Sequence, residues 1–137
     1  RPLWSPKYEG GHKARPYENV NMQPTIGIDL IEVSRIERAV KRYGDHFLNR
    51  VFDPTEVAYA RQYKYPAQHL AARFAAKEAV YKALNHQCEG LSWRQIVVEN
   101  SGGRPVCRVD HPQFSGTIPI SLSHTKAYAV ACAVVAL

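Results

Sequence analysis

A chain of 137 residues with 45% hydrophobic content and a formal charge of +6 has material for one core and no room for a second. No run approaches the ~18 apolar residues of a membrane span, and the N-terminus lacks the apolar core of a secretory signal, so the sequence reads as a soluble protein with no membrane partner. Cys88, Cys107 and Cys132 are odd in number and lack C-x-x-C spacing, which excludes a disulfide scaffold or zinc ribbon and reads as reduced thiols in a cytoplasmic protein.

Residues 1–24 mix prolines, paired glycines and scattered charges without an apolar period, the composition of a tail or linker, and the folded domain is expected over 25–137. Four of the 18 basic and two of the 12 acidic residues fall in the tail, leaving 14 basic and 10 acidic residues on the domain. That remainder is still basic and favours an anionic partner such as a polyphosphate, a nucleic acid or an acidic protein.

Thr25–Ile31 reads as a short apolar strand interrupted by Asp29. A carboxylate there must be hydrogen-bonded, protonated or bound to a cation, unless it only marks the strand end. Val33–Tyr43 takes helical spacing, with Ile36, Val40 and Tyr43 on an apolar stripe and Arg35, Arg38 and Arg42 on the opposite side, a face offered to an anion. Asp53-Pro54-Thr55-Glu56 supplies an N-cap acid, a proline at the first helical position and a glutamate at the third, starting a helix that runs to about Tyr63.

After Pro66 comes the longest helix, Ala67 to about Leu84, with Leu70, Phe74, Tyr81 and Leu84 on one stripe and alanines over much of the rest, a pattern for close packing on more than one side. Lys77 interrupts that stripe and needs an anion or an opening. Glu78 and Lys82 stand one turn apart, where an i,i+4 surface ion pair is the plainer reading. Gln95–Glu99 and Pro105–Val109 form a hairpin around a loop longer than the minimum, Asn100–Arg104. Thr117–Ser123 and Tyr128–Val135 form a second pair, and the last strand is apolar at nearly every position, a pattern for burial on both faces. Between them His124, Thr125 and Lys126 gather an imidazole, a hydroxyl and a cation, a mixture suited to phosphate oxygens.

Four blocks, Gly27-Ile-Asp29 through Arg35-Ile36, Arg73-Phe-Ala-Ala-Lys77-Glu78 through Lys82-Ala-Leu84, Gly103-Arg104-Pro105 and Ser121-Leu-Ser-His124-Thr125 through Ala129, together resemble the holo-acyl-carrier-protein synthase family. The resemblance covers about Ile26 to Val135, and the block from Arg73 is its most specific part. It implies an α+β fold, a single small domain with an antiparallel sheet packed against a long helix (the 4′-phosphopantetheinyl transferase fold), assembled as a homotrimer with active sites between subunits.

The resemblance further implies an enzyme that moves the 4′-phosphopantetheine arm of coenzyme A onto a serine of an apo acyl carrier protein, with Mg2+ as cofactor and 3′,5′-ADP as product. Asp29 and Glu78 would bind magnesium, which takes hard oxygen ligands and commonly only one or two carboxylates. Arg73, Lys77, Lys82, His124 and Thr125 would approach the coenzyme A phosphates or the reacting serine. Lys82 would stabilise charge on the transferring phosphates, Glu78 or a metal-bound water would take the serine proton, and Arg35, Arg38 and Arg42 would dock the acidic carrier. Where the family has a glycine-rich turn after the long helix, this chain reads Asn85-His86-Gln87-Cys88-Glu89-Gly90. The competing readings are a basic nucleic-acid-binding module that stacks bases on Tyr43, Tyr63, Tyr65 or Trp93, and a binder of coenzyme A or carrier without turnover. The first leaves Asp29 and Glu78 idle.

Overall fold

The structure is a computed structural model that describes residues 23–84 and 87–136. The expected tail therefore lies outside the described residues except for its last two positions. In chain order the elements are β1 (Pro24–Glu32), α1 (Val33–Tyr43), α2 (Asp45–Val51), α3 (Pro54–Arg61), α4 (Pro66–Ala83), a 3-10 turn (Trp93–Gln95), β2 (Ile96–Ser101), β3 (Arg104–His111), β4 (Phe114–His124) and β5 (Tyr128–Ala136). The strands form one antiparallel sheet in the order β1-β5-β4-β3-β2. Strand β4 joins its two halves, pairing through Phe114–Pro119 with β3 and through Ile120–His124 with β5.

Helix α4 lies across the β1-β5-β4 part of the sheet, and its alanines set the separation. Ala71, Ala72, Ala75, Ala76, Ala79 and Ala83 are all buried, so the helix backbone comes close to the strands. At Gly27 the approach is tightest: a Cβ there would lie 1.8 Å from the Ala79 carbonyl oxygen. The Thr25 hydroxyl donates to the Ala83 carbonyl just beyond.

Several expectations are corrected. Tyr81 is exposed and Phe74 only half-buried, whereas Leu70 and Leu84 of the predicted stripe are buried along with the alanines that make up most of the buried face of α4. Tyr43 is also exposed, although it continues the apolar side of α1. Strand β5 is buried on one face only: Ala129, Ala131, Ala133 and Val135 pack under α4, while Val134 stands 40% exposed on the other face. The first hairpin has the minimal loop, since Ser101 pairs with Arg104 and Gly102 and Gly103 make the turn at φ 58° and 81°, a backbone region that only glycine enters freely. Helix α2, between α1 and α3, is not anticipated by any cap or period in the sequence.

The capping box that begins α3 is present. The Asp53 side chain accepts from the Thr55 amide at 3.0 Å, and Glu56 accepts from the Asp53 amide at 2.8 Å. Thr55 hydrogen bonds, ahead of the other influences, hold the Asp53 carboxyl below its usual range.

Candidate active site

Asp29 lies on the face of β1 that packs against α4, between buried Gly27 and buried Ile31. Its Oδ1 accepts from the Lys82 ammonium at 3.2 Å, and the same ammonium donates to the Ile28 carbonyl at 2.9 Å. Glu78 sits one turn before Lys82 on α4 but does not pair with it. Its Oε1 accepts instead from the Trp93 indole at 2.7 Å. The i,i+4 ion pair expected of Glu78 and Lys82 is thus replaced by two tertiary contacts, which bring β1, α4 and the Trp93 turn to one place.

Lys77 corrects a second expectation. Its side chain is wholly buried, 2.7 Å from the equally buried Glu56, and it also donates to the carbonyls of Trp93 at 3.0 Å and of Ile96. Three partners satisfy three N–H groups, so Lys77 has no donor left for a cofactor phosphate and is withdrawn from that role. Burial holds the ammonium below the usual lysine range, against the pull of Glu56. The second Glu56 oxygen accepts from the Val98 amide at 3.0 Å, so the pair ties α3, α4 and β2 together. Nearby, burial pushes the Cys107 thiol up to about 12, which makes it inert.

Arg73 is buried at 6% exposure with its guanidinium carbon 3.9 Å from the centre of the Tyr59 ring. Its Nη1 donates to the His69 carbonyl at 3.4 Å, while its buried Nε has no partner among the described residues. Around it Tyr63 stacks on His69 at 3.9 Å, and the Tyr63 hydroxyl donates to that of Tyr59 at 3.0 Å. The His69 ring meets His124 edge-on at 5.1 Å. Burial first, then the charges of His124 and Arg73, hold His69 below the ordinary histidine range. His124 ends β4, and in the turn that follows the Thr125 hydroxyl accepts from the amides of Ala127 and Tyr128 at 3.2 and 3.1 Å. A guanidinium with a buried free N–H beside imidazole and phenol groups is the chemistry of an anion subsite.

Arg35, Arg38 and Arg42 are exposed on α1. Beside them a cleft of about 610 Å³ opens between α1, α2 and α4, with Arg35, Ala39, Tyr43, Phe47, Phe74 and Trp93 on its walls. The turn after α4, which departs from the family pattern, is described only from Gln87. There Gly90 has φ 69°, the Glu89 amide donates to the Gln113 side chain at 2.7 Å, and the Glu89 carbonyl lies 2.7 Å from His111 Nε2.

Among the described residues no group of three or more His, Cys, Asp or Glu side chains could hold a metal ion. The pair Asp29 and Glu78 fits magnesium nonetheless: Lys82 and Trp93 engage one oxygen of each, leaving Oδ2 and Oε2 as hard donors for an ion that draws most of its shell from water and substrate phosphates. Glu56, Tyr59 and His69 are the site-region residues that sequence reasoning missed, and the sequence marks Trp93 only as a base-stacking candidate. For Glu56 the signal was Lys77 itself, a cation on a buried stripe that required an anion.

Two carboxylates and a lysine thus meet on adjoining elements, with a buried arginine beside imidazole and phenol groups and a basic helix on the same small α+β domain. Residues 25–133 match the 4′-phosphopantetheinyl transferase superfamily, and the chain belongs to it. A holo-[acyl-carrier-protein] synthase from Thermodesulfovibrio yellowstonii is 45% identical over 111 residues, covering 80% of this chain and 96% of the relative. A solved Bacillus anthracis holo-(acyl-carrier-protein) synthase in complex with coenzyme A (3′,5′-ADP) superposes with a TM-score of 0.68 at 34% identity over 82% of this chain and 96% of that one. A Helicobacter pylori holo-[acyl-carrier-protein] synthase in complex with coenzyme A gives 0.69 at 31% identity over 82% and 99%.

Proposed function

We propose that this protein transfers the 4′-phosphopantetheine group from coenzyme A to a serine hydroxyl of an apo acyl carrier protein, depends on Mg2+ and releases 3′,5′-ADP. The observation that carries the reading is the meeting of Asp29 with Lys82 beside Glu78, inside a chain similar to synthases of that name. The serine oxygen forms a bond to the phosphorus nearest the pantetheine arm, the bond from that phosphorus to the bridging oxygen of 3′,5′-ADP breaks, and the serine proton passes to a carboxylate. Catalysis of this kind is mostly positioning and charge neutralisation.

Asp29 and Glu78 would hold the magnesium, which supplies Lewis-acid stabilisation of the phosphoryl charge when bound. Lys82 spends one N–H on Asp29 and one on the Ile28 carbonyl, leaving the third for a phosphate oxygen as negative charge builds there. Glu78 is the residue we assign to receive the serine proton. Arg73, His124 and Thr125 take the remaining phosphate and sugar groups of the cofactor. The Arg35, Arg38 and Arg42 face steers the acidic carrier to the cleft next to Trp93.

The homotrimer is proposed from the family resemblance, and the exposed face of β1 supports a neighbouring subunit. Ile26, Ile28 and Leu30 are 68%, 61% and 65% exposed and adjoin Val134 on β5, a contiguous apolar patch that a neighbouring chain would cover. We further assign residues 25–137 to the catalytic domain, residues 1–24 to a tail, and the protein to the cytoplasm. The nucleic-acid alternative loses part of its stacking set, because Tyr63 is stacked on His69 and the Trp93 indole is turned onto Glu78. The test is transfer by Asp29→Asn and Glu78→Gln at limiting magnesium: both should fold and lose most turnover, and wild-type rates in both would overturn the assignment.

A further inference from the structure

Glu78 and the cleft beside α1 meet at two side chains, Arg50 and Trp93, which line both that cleft and the one containing Glu78. Trp93 lines the cleft between α1, α2 and α4 and also the neighbouring cleft that contains Glu78, Tyr81 and Leu91. Its ring packs at 6.0 Å against Phe74, and its indole N–H reaches Glu78 Oε1 at 2.7 Å. An exposed tryptophan would swing, but this one is fixed from several sides. Its carbonyl accepts from the buried Lys77 ammonium at 3.0 Å. Ser92 and Gln95 close a capping box around its turn. The next residue, Arg94, donates to the Asn49 carbonyl at 2.7 Å. The buried Glu56–Lys77 pair is thereby mechanically linked to the position of the indole.

We propose that Trp93 is a positioning residue for Glu78: its N–H holds Oε1 and so sets the carboxylate rotamer that presents Oε2 to the cation. This rests on the metal role proposed above for Glu78. A glutamate on a helix surface has three side-chain torsions and would otherwise sample many rotamers, each of which the cation would have to select at binding. An N–H fixed in advance removes that cost, as partners that orient a metal ligand generally do, with losses of about 10- to 100-fold in metal affinity or activity when they are removed. Phenylalanine at this position keeps an aromatic ring beside Phe74 and removes the donor together with part of the indole's packing area.

The experiment compares wild type, Trp93→Phe and Glu78→Gln, each with coenzyme A present, by Mn2+ binding followed by electron paramagnetic resonance. Steady-state transfer at varied Mg2+ is measured alongside. Trp93→Phe should weaken Mn2+ binding about tenfold and raise the Mg2+ requirement in parallel, with the melting temperature unchanged. Wild-type Mn2+ affinity in Trp93→Phe, with binding lost in Glu78→Gln, overturns the role of Trp93 alone. Wild-type affinity in Glu78→Gln overturns the metal reading on which it stands. Should Trp93→Phe melt early, the indole Nε1–H resonance of the wild-type protein decides: it should shift on adding Mg2+ with coenzyme A, and a stationary resonance overturns the proposal.

Discussion

The Lys77 ammonium lies 2.7 Å from the Glu56 carboxylate with both side chains wholly buried. Removing one partner strands the other, which typically costs about 3–5 kcal/mol. Lys77→Met should therefore lose stability on that scale in urea unfolding. Lys77→Met combined with Glu56→Gln should recover part of the loss, since no charge is then left unpaired. A single variant as stable as wild type would mean that water reaches the pair.

Gly27 should tolerate no side chain. A methyl group at 1.8 Å from the Ala79 carbonyl forces β1 and α4 apart, and overpacking against backbone costs about 1–3 kcal/mol or more. Gly27→Ala should melt well below wild type, and because Asp29 and Lys82 meet across the same contact, the folded fraction should also turn over more slowly. An unchanged melting temperature would contradict the packing described.

Asp53 gives a pH signature. Its hydrogen bonds with Thr55 hold its carboxyl below the usual 3.8, so the folded chain binds that proton less tightly than the unfolded one. The stability it contributes is complete above that usual value and is lost as the pH falls through the lower folded value. Asp53→Ala should cost about 1 kcal/mol near neutrality as a lost N-cap. The gap between variant and wild type in thermal unfolding should close as the pH drops below about 4. A gap independent of pH would assign the loss to packing.

Lys82 separates a surface pair from a catalytic group. Its side chain is 53% exposed, so its ion pair with Asp29 contributes at most about 1 kcal/mol to stability. If its third N–H acts on the phosphates, Lys82→Met should lower kcat on the order of a hundredfold or more, with coenzyme A affinity much less affected and thermal stability little changed. Equal losses of stability and activity, with the rate per folded molecule intact, would leave only the ion pair.

Local signals made most elements legible. The capping box at Asp53, the arginine and apolar faces of α1 and the alanine-rich α4 all follow from spacing, since each depends on residues within one or two turns. What escaped depends on contacts between distant segments. Lys77 needed an anion, and only the fold shows that Glu56 supplies it. Glu78 and Lys82 have helical spacing for each other, yet Trp93 and Asp29, 15 and 53 positions away, take them instead. The apolar composition of β5 predicts burial on both faces, while the single chain covers only the alanine face. Helix α2 has no side-chain cap hydrogen bond, so nothing local announced it. Asp29, Glu78 and Arg73 stand out as site residues only through the family resemblance, since the composition by itself implies no more than an anionic partner.

The mass of a carrier tests the transfer most directly. Apo acyl carrier protein incubated with this protein, coenzyme A and Mg2+ should gain the mass of one phosphopantetheine on its serine, with release of one 3′,5′-ADP per carrier and no gain when Mg2+ is chelated. A carrier mass that stays unchanged across several apo carriers, with the protein folded and both substrates present, would contradict the transferase reading.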